Sequence, residues 1–103
     1  MATFILCSRL TDEGRRTLKA RPERLHEVNT ELEAMGGKVT AQFAVLGRYD
    51  FVSFVGAASN EAIARISVEL GSRGALQVTT LPAIDSAPLV ETLRGAVTGG
   101  PRP

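Results

Sequence analysis

The sequence is poor in the side chains that form disulfides and metal sites. Its 103 residues include one cysteine, Cys7, so no internal disulfide can form and a reducing, cytoplasmic location is expected. They also include one histidine, His26, whereas a zinc site is usually completed by several protein ligands. We therefore expect His26 to be an ordinary solvated side chain, and we expect neither a metal nor a cofactor.

Long apolar runs and an excess of one charge are also missing. No apolar stretch approaches the roughly 20 residues that span a bilayer, and no basic residue precedes the first apolar run as in a signal peptide. The net charge is +1, and the basic residues between positions 9 and 24 are interleaved with acidic ones, with no aromatic side chain among them. The sequence therefore predicts neither a nucleic-acid nor a membrane partner.

What is present is an alternation of strand-like and helix-like segments. A mostly apolar run from Thr3 to Leu10 predicts a strand, and Thr11 is a typical N-cap for a helix. Proline is poorly tolerated inside a helix, so Pro22 predicts a break near residues 20–21 and can open a second helical segment at its first turn. That segment carries an apolar stripe at helical spacing, formed by Leu25, Val28, Leu32 and Met35.

A hairpin is predicted in the middle of the chain. Two strand-like runs, residues 38–46 and 51–55, flank Gly47-Arg48, and only glycine adopts a positive φ at little cost. A two-residue type II′ loop is therefore expected, in which Val45 pairs with Asp50.

This register assigns the hairpin residues to two sheet faces. The almost wholly apolar face is the better candidate to lie under the helices, and the mixed face is expected to form a subunit interface around a polar-lined cavity. The first face comprises Val39, Ala41, Phe43, Val45, Asp50, Val52 and Phe54. The second comprises Thr40, Gln42, Ala44, Leu46, Tyr49, Phe51, Ser53 and Val55.

A second helix and a last strand complete the pattern. Ser59 or Asn60 is expected to cap a helix, and residues 75–81 read as a strand. The order β-α-β-β-α-β predicts an α+β, ferredoxin-like sandwich with one antiparallel sheet. We expect one domain over residues 1–85 and a C-terminal extension over residues 86–103, a short helix followed by disorder.

Several motifs together resemble the GYD domain family, small bacterial and archaeal proteins named for a glycine, tyrosine and aspartate signature. Here the signature has the spaced form Gly47-x-Tyr49-Asp50. Further matching motifs bring the resemblance to roughly residues 2 to 85; they lie at residues 10–14, 24, 35–39, 70–74 and 79–84.

A looser similarity is to the effector-binding domain of the leucine-responsive and asparagine-responsive transcription regulators. It implies a dimeric α/β barrel with face-to-face sheets and small ligands bound between protomers. No helix-turn-helix precedes the first strand, so a homo-oligomeric module without its own DNA-binding element is implied.

The candidate ligand contacts are Gln42, Gly47, Tyr49, Asp50 and Ser53. Tyr49 and Asp50 could hydrogen-bond a small ligand at the sheet rim, or Asp50 could accept backbone N–H groups while Tyr49 packs at the edge. Gln42 and Ser53 are cross-strand neighbours that could line a cavity, or bond to each other or to water.

Two functions remain open at this stage. The first is a homo-oligomeric small-molecule-binding or regulatory module. The second, by analogy of fold, is a small cofactor-independent enzyme of the monooxygenase or isomerase type, with Asp50 or His26 as acid or base and Tyr49 as a donor to an oxyanion.

Overall fold

The computed structural model describes residues 1–97. The strands form one antiparallel sheet in the order β2-β3-β1-β4, which confirms the predicted α+β, ferredoxin-like arrangement. The elements are, in chain order, β1 (Ala2–Leu10), α1 (Asp12–Ala20), α2 (Arg24–Ala34), β2 (Lys38–Ala44), β3 (Phe51–Ala57), α3 (Asn60–Ser72), β4 (Leu76–Ala83) and α4 (Ser86–Val97).

The predicted helix boundaries follow from local chemistry. The Thr11 hydroxyl accepts the Gly14 N–H at 3.1 Å and caps α1, and the Ser59 hydroxyl accepts the Ala62 N–H at 3.1 Å and caps α3. Pro22 lies in the turn between α1 and α2, as the expected break requires, although α2 begins only at Arg24.

The core lies between the sheet and the helices. On α2, Leu32 is buried in the core, Val28 packs against it, and His26 is exposed as expected. Met35, the C-cap of α2, also packs against the core. The buried apolar residues that form the core are Phe4, Leu6, Leu32, Val55, Ala57, Ile63, Ile66 and Leu70.

The predicted assignment of the two sheet faces is wrong. Ser53 and Val55 are buried on the face under the helices, whereas Phe43 and Phe54 remain 54% and 37% exposed on the other face. The count of apolar residues favoured the opposite assignment, because the face that lies under the helices also carries the polar side chain of Gln42. Burial of this amide is tolerated because a side chain from α2 bonds to it.

A β-bulge also breaks the simple alternation along β2. Val39 is opposite Val55 and Ala41 is opposite Phe54, so one extra residue, Thr40, lies between the two pairs. Val39 therefore packs against the core, and Ala41 shares the outer face with Phe54. Strict alternation had placed Val39 and Ala41 on the same face.

The hairpin register was predicted correctly, but its loop was not. The Val45 N–H donates to the Asp50 carbonyl oxygen at 2.9 Å, in the expected pairing. However, β2 ends at Ala44 and β3 begins at Phe51, so the connection is longer than two residues. The Asp50 N–H donates to the Ser8 carbonyl oxygen of β1 at 2.8 Å, which draws this end of the loop towards the neighbouring strand.

The last helix projects from the sandwich. All side chains of residues 86–95 are exposed, among them Leu89, Val90 and Leu93. The radius of gyration is 16.8 Å, compared with about 13 Å for an ordinary compact domain of this length. The division of the chain at Asp85 stays a prediction, and the disorder expected for residues 99–103 falls outside the described residues.

Candidate functional site

A cavity of about 100 Å³ lies between the helices and the core face of the sheet. The α1 and α2 helices contribute apolar side chains such as Leu18 and Leu25, and β1 contributes Leu6 and Ser8. Gln42 and Ser53, two of the residues predicted to contact a ligand, also line it. They face the helices rather than a second sheet, because the faces are the reverse of those predicted.

A polar network occupies one wall of this cavity. The Asn29 side-chain NH₂ donates to Gln42 Oε1 at 2.9 Å, and Gln42 Nε2 donates in return to Asn29 Oδ1 at 3.1 Å. Gln42 Nε2 also donates to the Ser53 hydroxyl at 2.9 Å. The mutual amide pair holds the Gln42 side chain in one orientation, with all of its nitrogen protons committed.

Sequence reasoning missed Asn29. It follows Val28 and lies three residues before Leu32, so it borders the apolar stripe of α2. A polar residue at the edge of such a stripe is a usable signal, because it will be partly buried and needs a partner on the facing strand.

Ser8 was also missed. Ser8 is 8% exposed and lines the cavity, yet its hydroxyl forms no hydrogen bond to any residue that the structure describes. No polar side-chain atom within residues 1–97 is both sealed from solvent and unbonded, so this hydroxyl is accessible from the cavity.

A chain of ion pairs borders the cavity. Arg24 and Arg73, which both contribute to the lining, are bridged by Glu31, whose carboxylate lies 2.9 Å from Arg24 Nη1. The alternating chain contains as many arginines as glutamates and is neutral as a whole. Its members are Arg21, Glu27, Arg24, Glu31, Arg73 and Glu69.

The signature residues lie elsewhere, at the end of the hairpin. Asp50 Oδ2 accepts the Leu10 N–H at 2.8 Å and lies 3.7 Å from Arg15 Nη2. Tyr49 is half-buried, and Gly47 is exposed with φ +114°, a conformation that favours glycine. Among residues 1–97, no hydrogen bond or ion pair connects this group with Gln42 or Ser53.

The uncovered side of the sheet forms a second candidate surface, here called the open face. Cross-strand pairing places Ile5 beside both Phe54 and Leu81, and Phe43 beside Val52. The Phe43 and Phe54 rings meet edge to face with centroids 6.2 Å apart. Because large apolar side chains are exposed side by side here, the open face has the character of an interaction surface.

Two other kinds of site are absent from residues 1–97. No helix within residues 1–97 has the length and apolar character needed to cross a bilayer. No three histidine, cysteine, aspartate or glutamate side chains in the same range are grouped so that they could hold a metal ion.

Comparison with known proteins identifies two similarities. The family model described as the GYD domain matches residues 4–93, which extends beyond Asp85 into α4. The chain is also 50% identical over 95 residues to a Thermus thermophilus protein named "Glutamine synthetase and cystathionine beta-lyase binding protein". That alignment covers 91% of this chain and 100% of the relative.

Proposed function

Because the chain belongs to the GYD domain family, we propose that it is a small homo-oligomeric module that binds and regulates a metabolic enzyme. The name of the Thermus thermophilus relative supports this proposal, since it describes a protein that binds two enzymes. We further propose glutamine synthetase and cystathionine beta-lyase as the first partners to test. A cytoplasmic location is part of the proposal and is supported by Cys7, whose buried thiol is not in a disulfide.

The main support for the proposed self-association is the set of exposed apolar residues on the open face. We assign this face to a second copy of the chain, with the two sheets packed against each other. The chain is small, and a second copy would bury Phe43, Phe54 and Leu81 together. The projecting α4, with exposed Leu89 and Leu93, supports the same assignment, because a helix that packs poorly on its own domain is available to a neighbouring copy.

This arrangement would leave the helices and their ion pairs on the outside of the oligomer. The enzyme partner would therefore meet the helical layer, while the self-association uses the sheet. The two interactions can be tested separately because they use opposite sides of the domain.

The enzyme alternative has less support. An acid or base in the reaction needs a proton-transferring group at a pocket. Asp50 instead accepts a backbone N–H and faces Arg15, and His26 is exposed on α2. A binding module requires no such group.

Sedimentation equilibrium at micromolar concentration tests the self-association. We expect the wild-type mass to be a multiple of 11.0 kDa and the Phe54→Ser variant to shift towards the monomer. Val68→Ser is the matched control, because Val68 is an exposed apolar residue on α3, away from the sheet. A wild-type monomer, or equal effects of the two substitutions, would refute the assignment of the open face.

Calorimetric titration of the purified chain into each purified enzyme from the same organism tests the partner. Saturable binding to either enzyme supports the proposal. Absence of binding to both would refute the enzyme-binding function and would leave the oligomer result unchanged.

A further inference from the structure

We propose that the cavity under the helices binds a small neutral molecule that has a short apolar body and one hydrogen-bonding end, held by Ser8. This inference goes beyond the proposed function and depends neither on the oligomer nor on an enzyme partner. It rests on the unpartnered hydroxyl, on the size and lining of the cavity and on the charges at its border.

Ser8 provides the polar contact. Its position on β1 is fixed by pairing with Phe51 on one side and Val78 on the other, so the side chain belongs to the core face. A buried hydroxyl normally bonds to protein or water. Because this one has no bond within residues 1–97 but lines the cavity, it can donate to or accept from a molecule placed there.

The cavity size limits the ligand. An apolar cavity of about 150 Å³ is known to hold benzene. The present volume of about 100 Å³ therefore suits a molecule of roughly the same size or slightly smaller. Leu18, Leu25 and Val28 line the cavity, which favours a short aliphatic body over a polar one.

The surrounding charges favour a neutral ligand. Among residues 1–95, Arg24 and Arg73 are the only charged residues in the lining, and both are already paired with Glu31. In that part of the chain no lining arginine is left unpaired to compensate a ligand carboxylate, and no lining carboxylate could pair with a ligand ammonium. Burial of an unpaired charge is costly, so an acid or an amino acid should bind less well than a neutral analogue.

Titration of the isotope-labelled full chain with n-butyramide, followed by amide chemical shifts, tests the proposal. We expect saturable shifts centred on Ser8 and Gln42, with a dissociation constant of about 1–10 mM for a ligand of this size. Butyrate is the charged isostere and should bind at least about tenfold more weakly. Ser8→Ala should weaken butyramide binding about threefold to tenfold, the usual value of one hydrogen bond.

Ser67→Ala is the matched control. Ser67 is a half-buried α3 residue whose hydroxyl bonds to the Ile63 carbonyl and to Thr80, and it does not line the cavity. This variant should bind butyramide with wild-type affinity. The proposal is overturned by shifts that do not saturate or that centre outside the cavity, by equal binding of butyrate, or by wild-type affinity in a folded Ser8→Ala variant.

Discussion

Asp50 of the glycine, tyrosine and aspartate signature ties the hairpin to the end of β1. Its carboxylate accepts the Leu10 N–H at 2.8 Å, and its side chain is 31% exposed. Asp50→Ala removes this acceptor and leaves a half-buried donor without its partner. The free energy of unfolding should fall by about 1–3 kcal/mol, the usual penalty for such a donor.

Asp50→Asn separates the hydrogen bond from the charge. The asparagine oxygen can still accept the Leu10 N–H, so only the ion pair with Arg15 and the charge assistance are lost. Arg15 is 53% exposed and 3.7 Å away, which makes that pair a weak one. The Asn variant should therefore lose only about 0.5–1 kcal/mol, and Arg15→Ala should lose about 0–1 kcal/mol.

Urea unfolding at one fixed protomer concentration measures these differences, because the stability of an oligomer depends on concentration. Each kcal/mol should also lower the melting temperature by about 4–8 °C in a domain of this size. Wild-type stability of Asp50→Ala would refute a structural role for this hydrogen bond. Equal losses for the Ala and Asn variants would show that the charge matters more than the acceptor.

Three further predictions concern packing and the boundary of the domain. Leu32→Ala should cost about 2–5 kcal/mol in urea unfolding, whereas His26→Ala should lie within about ±0.5 kcal/mol, because one is buried in the core and the other is exposed. Gly14→Ala should cost at least about 1–3 kcal/mol, since a Cβ there would clash with the Ala75 carbonyl oxygen; Gly71→Ala, with open space around it, should be neutral or stabilising in the same assay. A chain that ends at Asp85 should keep a cooperative thermal transition, because the side chains of residues 86–95 are exposed, and loss of that transition would show that the last helix supports the fold.

Local chemistry explains why the element order could be predicted. The Thr11 cap needs only the N–H groups that follow it, and the break at Pro22 needs only the proline ring. The spacing of Val28 and Leu32 depends on the helical period alone. Each of these signals is contained within a few consecutive residues, so each could be read without knowledge of the fold.

The candidate site could be predicted only in part. Gln42 and Ser53 were identified as a cross-strand pair, and the structure places them together as expected from the hairpin register. Asn29 and Ser8 were not identified, because the partner of Asn29 and the other walls of the cavity that Ser8 lines come from elements distant in sequence. The cavity itself forms only where α1 and α2 pack over β1, β2 and β3.

The amino-acid sequence by itself determined which segments become strands and helices, where α1 and α3 begin and how Val45 pairs with Asp50 in the hairpin, because these depend on neighbouring residues. The tertiary structure decided which sheet face is covered. Both faces of the hairpin carry apolar residues, so their composition could not distinguish them. Asn29 on α2 bonds to Gln42, and this satisfied amide allows the more polar face to be buried. Phe43 and Phe54 are therefore left on the outer face.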